Sequence, residues 1–152
     1  MAMDKALRPL LRAAHSLLKV SWFIRRPRSF GVHALALTHA GKVILVRLRY
    51  APGWRLPGGG RKATEEPHTA VLRELREEIG MTSHGTVDLA CELEEEVDHK
   101  RDLASLFIVR DVEYCSKWSW EVEDVMEANL ETLPNDISSR VAGWLQALRP
   151  KL

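Results

Sequence analysis

Three glutamates are the residues best placed to do chemistry in this 152-residue chain: Glu74, Glu77 and Glu78, at i, i+3 and i+4 of a helical pattern. On a helix this spacing turns the three carboxylates toward one face. Like charges so placed repel by roughly 0.2–0.5 kcal/mol per pair, and partial burial beside an apolar stripe raises the cost. Arg73 can reach Glu77, but no cation stands between Glu74 and Glu78. A divalent ion would relieve the repulsion, and carboxylate oxygens suit Mg²⁺ or Mn²⁺. Read alone, the pattern fits an exposed acidic helix at least as well.

The setting separates these readings. Gly58-Gly59-Gly60 precedes the helix, where the backbone must approach something closely, Glu65 stands in the first turn, and Gly80 closes it. Residues 59–81 resemble the Nudix box, G-x5-E-x7-R-E-U-x-E-E-x-G-U with U a bulky aliphatic. Gly59, Glu65, Arg73, Glu74, Leu75, Glu77, Glu78, Gly80 and Met81 meet every fixed position, with Met81 slightly unusual in its place. At background residue usage a chance match is about one in 10⁸, so the pattern is not an accident of composition.

The resemblance implies a metal-dependent hydrolase. Such an enzyme cleaves the diphosphate linkage of a nucleoside diphosphate joined to another group X, by attack of water on phosphorus. It implies that Glu74, Glu77 and Glu78 ligate the metal, Mg²⁺ with Mn²⁺ as the second option, and that Gly59 presents its carbonyl. Glu74 would also accept a proton from water. Arg73 would orient a neighbouring glutamate by a charge-assisted hydrogen bond. Glu65 would support the loop–helix geometry or an outer ion. Many relatives use a further Glu or Gln outside the box. Glu94, Glu95 and Glu96 form one candidate cluster, and Glu121 with Glu123 another. Glu121 is favoured, because its strand is expected beside the box helix. The alternatives are a non-catalytic nucleotide-binding or regulatory module, which typically loses box acids, and a relative with different diphosphate chemistry such as isomerisation.

Holding the acids in place requires a framed helix. Val71, Leu72, Leu75 and Ile79 form its apolar stripe, an arc of roughly 100°. Ala70 is expected to leave space in front of the acids. The helix is expected over 65–79, with Thr64 as cap, Pro67 in the first turn and Gly80 left-handed at its end. Residues 31–49 read as a β-hairpin turning at His39-Ala40-Gly41-Lys42, and 54–57 as a short extended stretch. Strands follow near 86–95, 104–113 and 119–126, then a helix from about 137 to 148. Together these predict an α/β fold, a mixed sheet covered by helices on both faces. By resemblance it is a Nudix-like α/β/α sandwich.

Residues 4–24 predict an additional amphipathic helix, its regular part starting at Asp4 or at Pro9. Leu7, Leu10, Leu11, Ala14, Leu17, Leu18 and Trp22 share one face, and Lys5, Arg8, Arg12, His15 and Lys19 the other. Arg25-Arg26-Pro27-Arg28 ends the segment. The chain thus divides into an extension over 1–29 and a domain over 30–152. The helix is expected to pack on the domain or on a homodimer partner, with weak membrane contact through 4–24 as the sharper reading.

For the substrate, Arg47, Arg49 and Arg55 are candidate phosphate ligands, with Arg61 and Lys62 nearby. Trp54, and also Trp118 and Trp120, are candidates to stack a base, although core packing is the better expectation for any one tryptophan. The Pro and Tyr that follow the box in some ADP-ribose and dinucleoside polyphosphate subfamilies are absent; positions 96 and 97 are Glu and Val. The expected partner is a small-molecule nucleoside diphosphate derivative. A net charge of +1 provides no global field for nucleic acid, and no DNA partner is expected. Cys91 and Cys115 match no ligand spacing and read as buried thiols in a reducing, cytoplasmic setting.

Overall fold

The computed structural model of the chain describes residues 2–25 and 28–152, and the side chains of all of these except 2–6 and 22–25. The expectations for the Lys5 and Trp22 side chains, and for Arg26-Pro27 as a helix end, lie outside the described residues. The elements run α1 (Ala2–Arg25), β1 (Arg28–Ala36), β2 (Val43–Leu48), β3 (Trp54–Arg55), β4 (Gly58–Arg61), α2 (Pro67–Ile79), β5 (Met81–Ser83), β6 (Val87–Val97), β7 (Lys100–Val109), β8 (Glu113–Tyr114), β9 (Val122–Ala128) and α3 (Ser139–Leu148). A short 3₁₀ turn follows at Arg149–Lys151.

The mixed sheet runs β4-β1-β7-β6, with β1 and β7 parallel and the outer pairs antiparallel. A second sheet, β3-β2-β9, is antiparallel throughout, and β5 pairs with β8. Side-chain alternation sends each central strand into two cores. Val32, Ala34 and Ala36 of β1, Ile44 and Val46 of β2, and Phe107 and Val109 of β7 meet Ala70, Val71, Leu72, Leu75 and Ile79 of α2. Leu35, Val43, Leu45, Ala104, Leu106 and Ile108 point the other way and meet Val141, Trp144, Leu145 and Leu148 of α3. This is the α/β/α sandwich expected from the alternation of elements.

Several local expectations are corrected. The 31–49 segment is not a regular hairpin: β1 and β2 belong to different sheets, and their backbones pair only through the isolated bridge Leu37–Val43. Both strands are buried on both faces, so each needs partners that a two-stranded hairpin cannot supply. The glycine triplet is itself strand β4, paired antiparallel with β1. The cap of α2 is Glu66 and not Thr64; the Glu66 carboxylate accepts the Thr69 N–H at 2.9 Å. Pro67 takes the first helical position and Gly80 closes the helix at φ 70°, as the sequence predicts. β6 and β7 turn at Asp98 and His99, both with positive φ. Cys115 is exposed and Cys91 half-buried, and both are free.

α1 runs through Pro9 without a break. Its leucines divide, Leu7 and Leu11 being half-buried against the domain and the others turned largely to solvent. Leu10 and Leu17 are 67% and 73% exposed, whereas Arg8 pairs with Glu123, and Lys19 with Asp98 at 2.9 Å. No helix among the described residues is long and apolar enough to cross a membrane.

Candidate active site

α2 presses its apolar stripe into the core, which leaves Glu74 and Glu78 on the flank facing β4, only 8% and 5% exposed. Ala70 does not clear space for them; it is itself packed in the core. Gly59 does so instead. A Cβ there would lie 2.8 Å from the Glu74 carboxyl carbon, so any side chain would displace that carboxylate. Glu78 accepts the backbone N–H of Gly58 at 2.8 Å, joining the helix to the glycine strand.

Arg73 organises the neighbourhood. Its Nη1 donates to Glu74 Oε1 at 2.8 Å and to Glu77 Oε2 at 3.3 Å. Its Nε and Nη2 grip both Glu65 oxygens at 3.0 and 3.2 Å, and Nη2 also donates to the Gly60 carbonyl at 3.3 Å. The strongest grip is therefore on Glu65, whose carboxyl is held low by that hydrogen bond. Glu65 thus ties the loop to the helix through Arg73.

Among the described residues, no such cation pairs with Glu78. Burial, and then the charges of Glu74, Glu121 and Glu77, push its carboxyl up to about 8 against the Gly58 N–H. Burial also raises Glu74, with Glu77 and Glu121 adding to it and Arg73 opposing. Glu121 lies just ahead of β9 and not on it. Ser119 Oγ accepts the N–H groups of Glu121 and Val122, and the Arg49 N–H donates to the Glu121 carbonyl. Four carboxylates thus share one neighbourhood with one guanidinium. Among the described residues, no three acid, histidine or cysteine side chains already enclose an ion-sized point. Glu77 in particular is exposed and turned to Arg73.

These acids form one end of a cavity of about 690 Å³, with Gly58, Gly59, Glu78 and Glu121 in its wall. The opposite end is built from β1, β7 and α3, and sequence reasoning missed it. There Arg140 donates to Asp102 at 2.6 Å and to Glu95 at 2.7 Å, Ser29 donates to Asp102 at 2.7 Å, and the Trp144 indole N–H donates to Glu95 at 3.1 Å. His33 packs against Trp144 at 4.5 Å with the rings tilted by 42°, and burial lowers its imidazole to about 3, leaving it neutral. The sequence signal was a polar residue interrupting a buried strand, His33 in β1 and Asp102 in β7.

Between the ends stand Tyr50 and Arg55. Burial, with Glu121 and Glu78 adding, pushes the Tyr50 phenol up to about 12, so it remains a donor. Arg55 has no hydrogen-bond or ion-pair partner among the described residues, and its Nε is buried without one. Burial lowers it from the ordinary guanidinium value.

The other substrate candidates lie elsewhere. Trp54 is buried in the α3-side core with Arg47 over its ring at 4.5 Å, and Arg47 pairs with Asp136 at 2.6 Å. Neither lines the cavity. Arg49 is buried with its guanidinium against the Ser119 carbonyl at 3.4 Å, beneath the segment that carries Glu121. Trp118 and Trp120 pack edge-to-face on each other at 4.6 Å, exposed and outside the cavity. Of the Glu94–Glu96 cluster, Glu94 pairs with Arg101 and Glu95 with Arg140.

Comparison with known proteins agrees with this geometry. An RNA pyrophosphohydrolase of Acidiphilium cryptum is 35% identical over 99 residues, 60% of this chain and 58% of that protein. One of Pseudomonas savastanoi pv. phaseolicola is 40% identical over 52 residues, 34% of this chain. That match spans 33% of the curated relative's own length. Among solved structures, a MutT protein from Methanosarcina mazei Go1 superposes with a TM-score of 0.70 at 24% identity, covering 83% of this chain and 96% of that one. A bifunctional NMN adenylyltransferase/ADP ribose pyrophosphatase from Francisella tularensis, in complex with AMP and a manganese ion, has a TM-score of 0.70 at 15% identity, covering 92% of this chain and 47% of that one. The NUDIX domain model matches residues 27–144, and the chain belongs to the Nudix family.

Proposed function

We propose that the chain is a hydrolase that uses a divalent metal, Mg²⁺ or alternatively Mn²⁺, to cleave the diphosphate linkage of a nucleoside diphosphate joined to a group X. The observation that carries this is Glu78, a buried carboxylate raised to about 8 beside Glu74 and Glu121, with a backbone N–H but no cation against it. A hard, oxygen-seeking cation fits this donor set. Glu74, Glu78 and the Gly59 carbonyl would hold it, and Glu77 would join by turning its exposed side chain inward. When bound, such an ion neutralises the diphosphate and acidifies a coordinated water.

The chain's own groups do the rest in this reading. Arg73 occupies Glu74 Oε1, leaving Oε2 to take the proton from the attacking water. Glu121, at the same end of the cavity, is the further base or ligand. Arg55 holds a phosphate oxygen that replaces its missing partner, and the Tyr50 hydroxyl donates to the bridging region. The box helix, anchored in the core, keeps the acids in register.

The domain boundary at 29/30 and a cytoplasmic location belong to the same proposal. So does weak contact of residues 4–24 with a membrane surface, favoured over a homodimer because Leu10, Leu17 and Val20 face outward. Partition of Leu17→Glu on anionic vesicles, against wild type, tests the contact; equal partition removes it.

The function is tested with a panel of diphosphate compounds, with Mg²⁺ or Mn²⁺, comparing wild type and Glu78→Gln. Turnover of at least one compound, lost in the variant, is expected. No turnover of any compound, or equal rates, would reject the hydrolase.

A further inference from the structure

α1 lies outside the residues matched by the family model, so the family fold is complete without it. Yet it forms part of the cavity wall through Leu11, His15, Leu18 and Lys19. Among the described residues, no strand or helix packs extensively along it. It is instead fastened at two points, and these lie at opposite ends of the cavity. Arg8 pairs with Glu123, two residues from Glu121 at the acid end. Lys19 pairs with Asp98 in the β6–β7 turn at 2.9 Å, with His15 also near Asp98 at 3.7 Å. Midway, the His15 ring meets Tyr50 at 5.4 Å. With Arg8 and Lys19 each 44% exposed and Leu10 and Leu17 turned to solvent, the helix gains little by burial beyond Leu11 and Leu18, so the two ion pairs contribute to holding it here.

We infer that α1 is a substrate-selecting roof, held by the Arg8–Glu123 and Lys19–Asp98 pairs, that restricts X to a compact group and excludes the 5′ end of a polymer. The cavity of about 690 Å³ falls in the range for a whole small ligand. A compact X ends between α1 and the Arg140–Asp102 end. A polymer continuing beyond X has to leave past α1. The inference rests on the hydrolase reading and adds which diphosphates that site accepts.

The test uses the full chain with Mg²⁺. ADP-ribose, dGTP and diadenosine tetraphosphate are the compact probes, and a short RNA oligonucleotide with a 5′-triphosphate is the polymer. Wild type is compared with Arg8→Glu/Lys19→Glu, and with the four-fold swap that adds Glu123→Arg and Asp98→Lys. The ratio of kcat/KM for the RNA over the best compact probe is expected to rise about tenfold or more in the double variant and to return in the swap. If the double variant does not fold, Leu11→Trp narrows the roof with both ion pairs intact. It is then expected to lower diadenosine tetraphosphate turnover relative to dGTP by about fivefold or more. An unchanged ratio in whichever variant folds, or a wild type that already prefers the RNA, overturns the inference alone. A wild type that turns over none of the four overturns the hydrolase reading and this inference together.

Discussion

The two ends of the cavity treat buried carboxylates in opposite ways. At the α3 end, Asp102 and Glu95 are met by Arg140, Ser29 and the Trp144 indole, and every acid there has a protein donor. At the α2 end, Glu78 has one backbone N–H, and its neighbours are other acids. A buried charge is tolerated when its partners are in the protein and is costly when they are not. The acids of the α3 end are therefore compensated within the protein, although the buried His33 Nδ1 beside them has no hydrogen-bond partner among the described residues, and the acids of the α2 end are not so compensated. Arg55, whose buried Nε has no hydrogen-bond partner among the described residues, lies between the two ends.

The sharpest way to break this comparison is to neutralise one acid at each end. Glu78→Gln should lower kcat/KM on the best substrate by about 10²-fold or more, roughly 3 kcal/mol of transition-state stabilisation. A loss below tenfold would place Glu78 with the structural acids. Arg140→Ala strips the cation from two carboxylates at once. Because the pair is partly exposed, about 2–3 kcal/mol of folding stability is expected to disappear, read by urea denaturation.

The same two ends respond differently to pH when metal is chelated. The Glu78 carboxyl is raised in the folded state from an ordinary value of 4.5 to about 8. Its contribution to stability is complete below about 4.5 and is lost as pH rises through about 8. Metal-free Glu78→Gln should thus be more stable than wild type at pH 8 by about 2 kcal/mol, although it is less active. His33 acts in reverse. Its pKa is depressed from 6.5 to about 3, so its contribution is complete above 6.5 and is lost as pH falls toward 3. Thermal melts in chelator across this range should show wild-type stability sloping down on both sides, with only the alkaline slope reduced by Glu78→Gln, because Glu74 is raised as well. A smaller effect is expected of Glu121→Gln, about tenfold in kcat with KM little changed, because Glu121 is exposed and its charge is better screened. An equal loss from Glu95→Gln would erase the distinction between the ends.

Elements specified by neighbours in the chain were legible beforehand. α2 follows from its apolar period, Pro67 and Gly80, and the three glutamates follow from helical spacing alone. What failed was decided by non-local partners. The alternation of 31–49 is compatible with a hairpin, and only burial on both faces sends β1 to β4 and β7 and β2 to β3 and β9. Trp54 and Arg47 carry chemistry suited to a ligand, yet the core and Asp136 claim them. On α1 a helical wheel places leucines and cations on separate faces, but the domain meets the seam between them, Leu11 and Leu18 together with His15 and Lys19, and Glu123 and Asp98 fasten it there.

The same division holds for the carboxylates. Residue type and spacing along 59–81 determine that several acids share one helix flank, because helical geometry is local. Whether each acid is compensated depends on what the remaining strands and helices bring to it. Desolvation and ion pairing act through space, and residues as far apart in sequence as Ser29, Asp102 and Arg140 must meet before one end of the cavity is satisfied and the other is left in need of a cation.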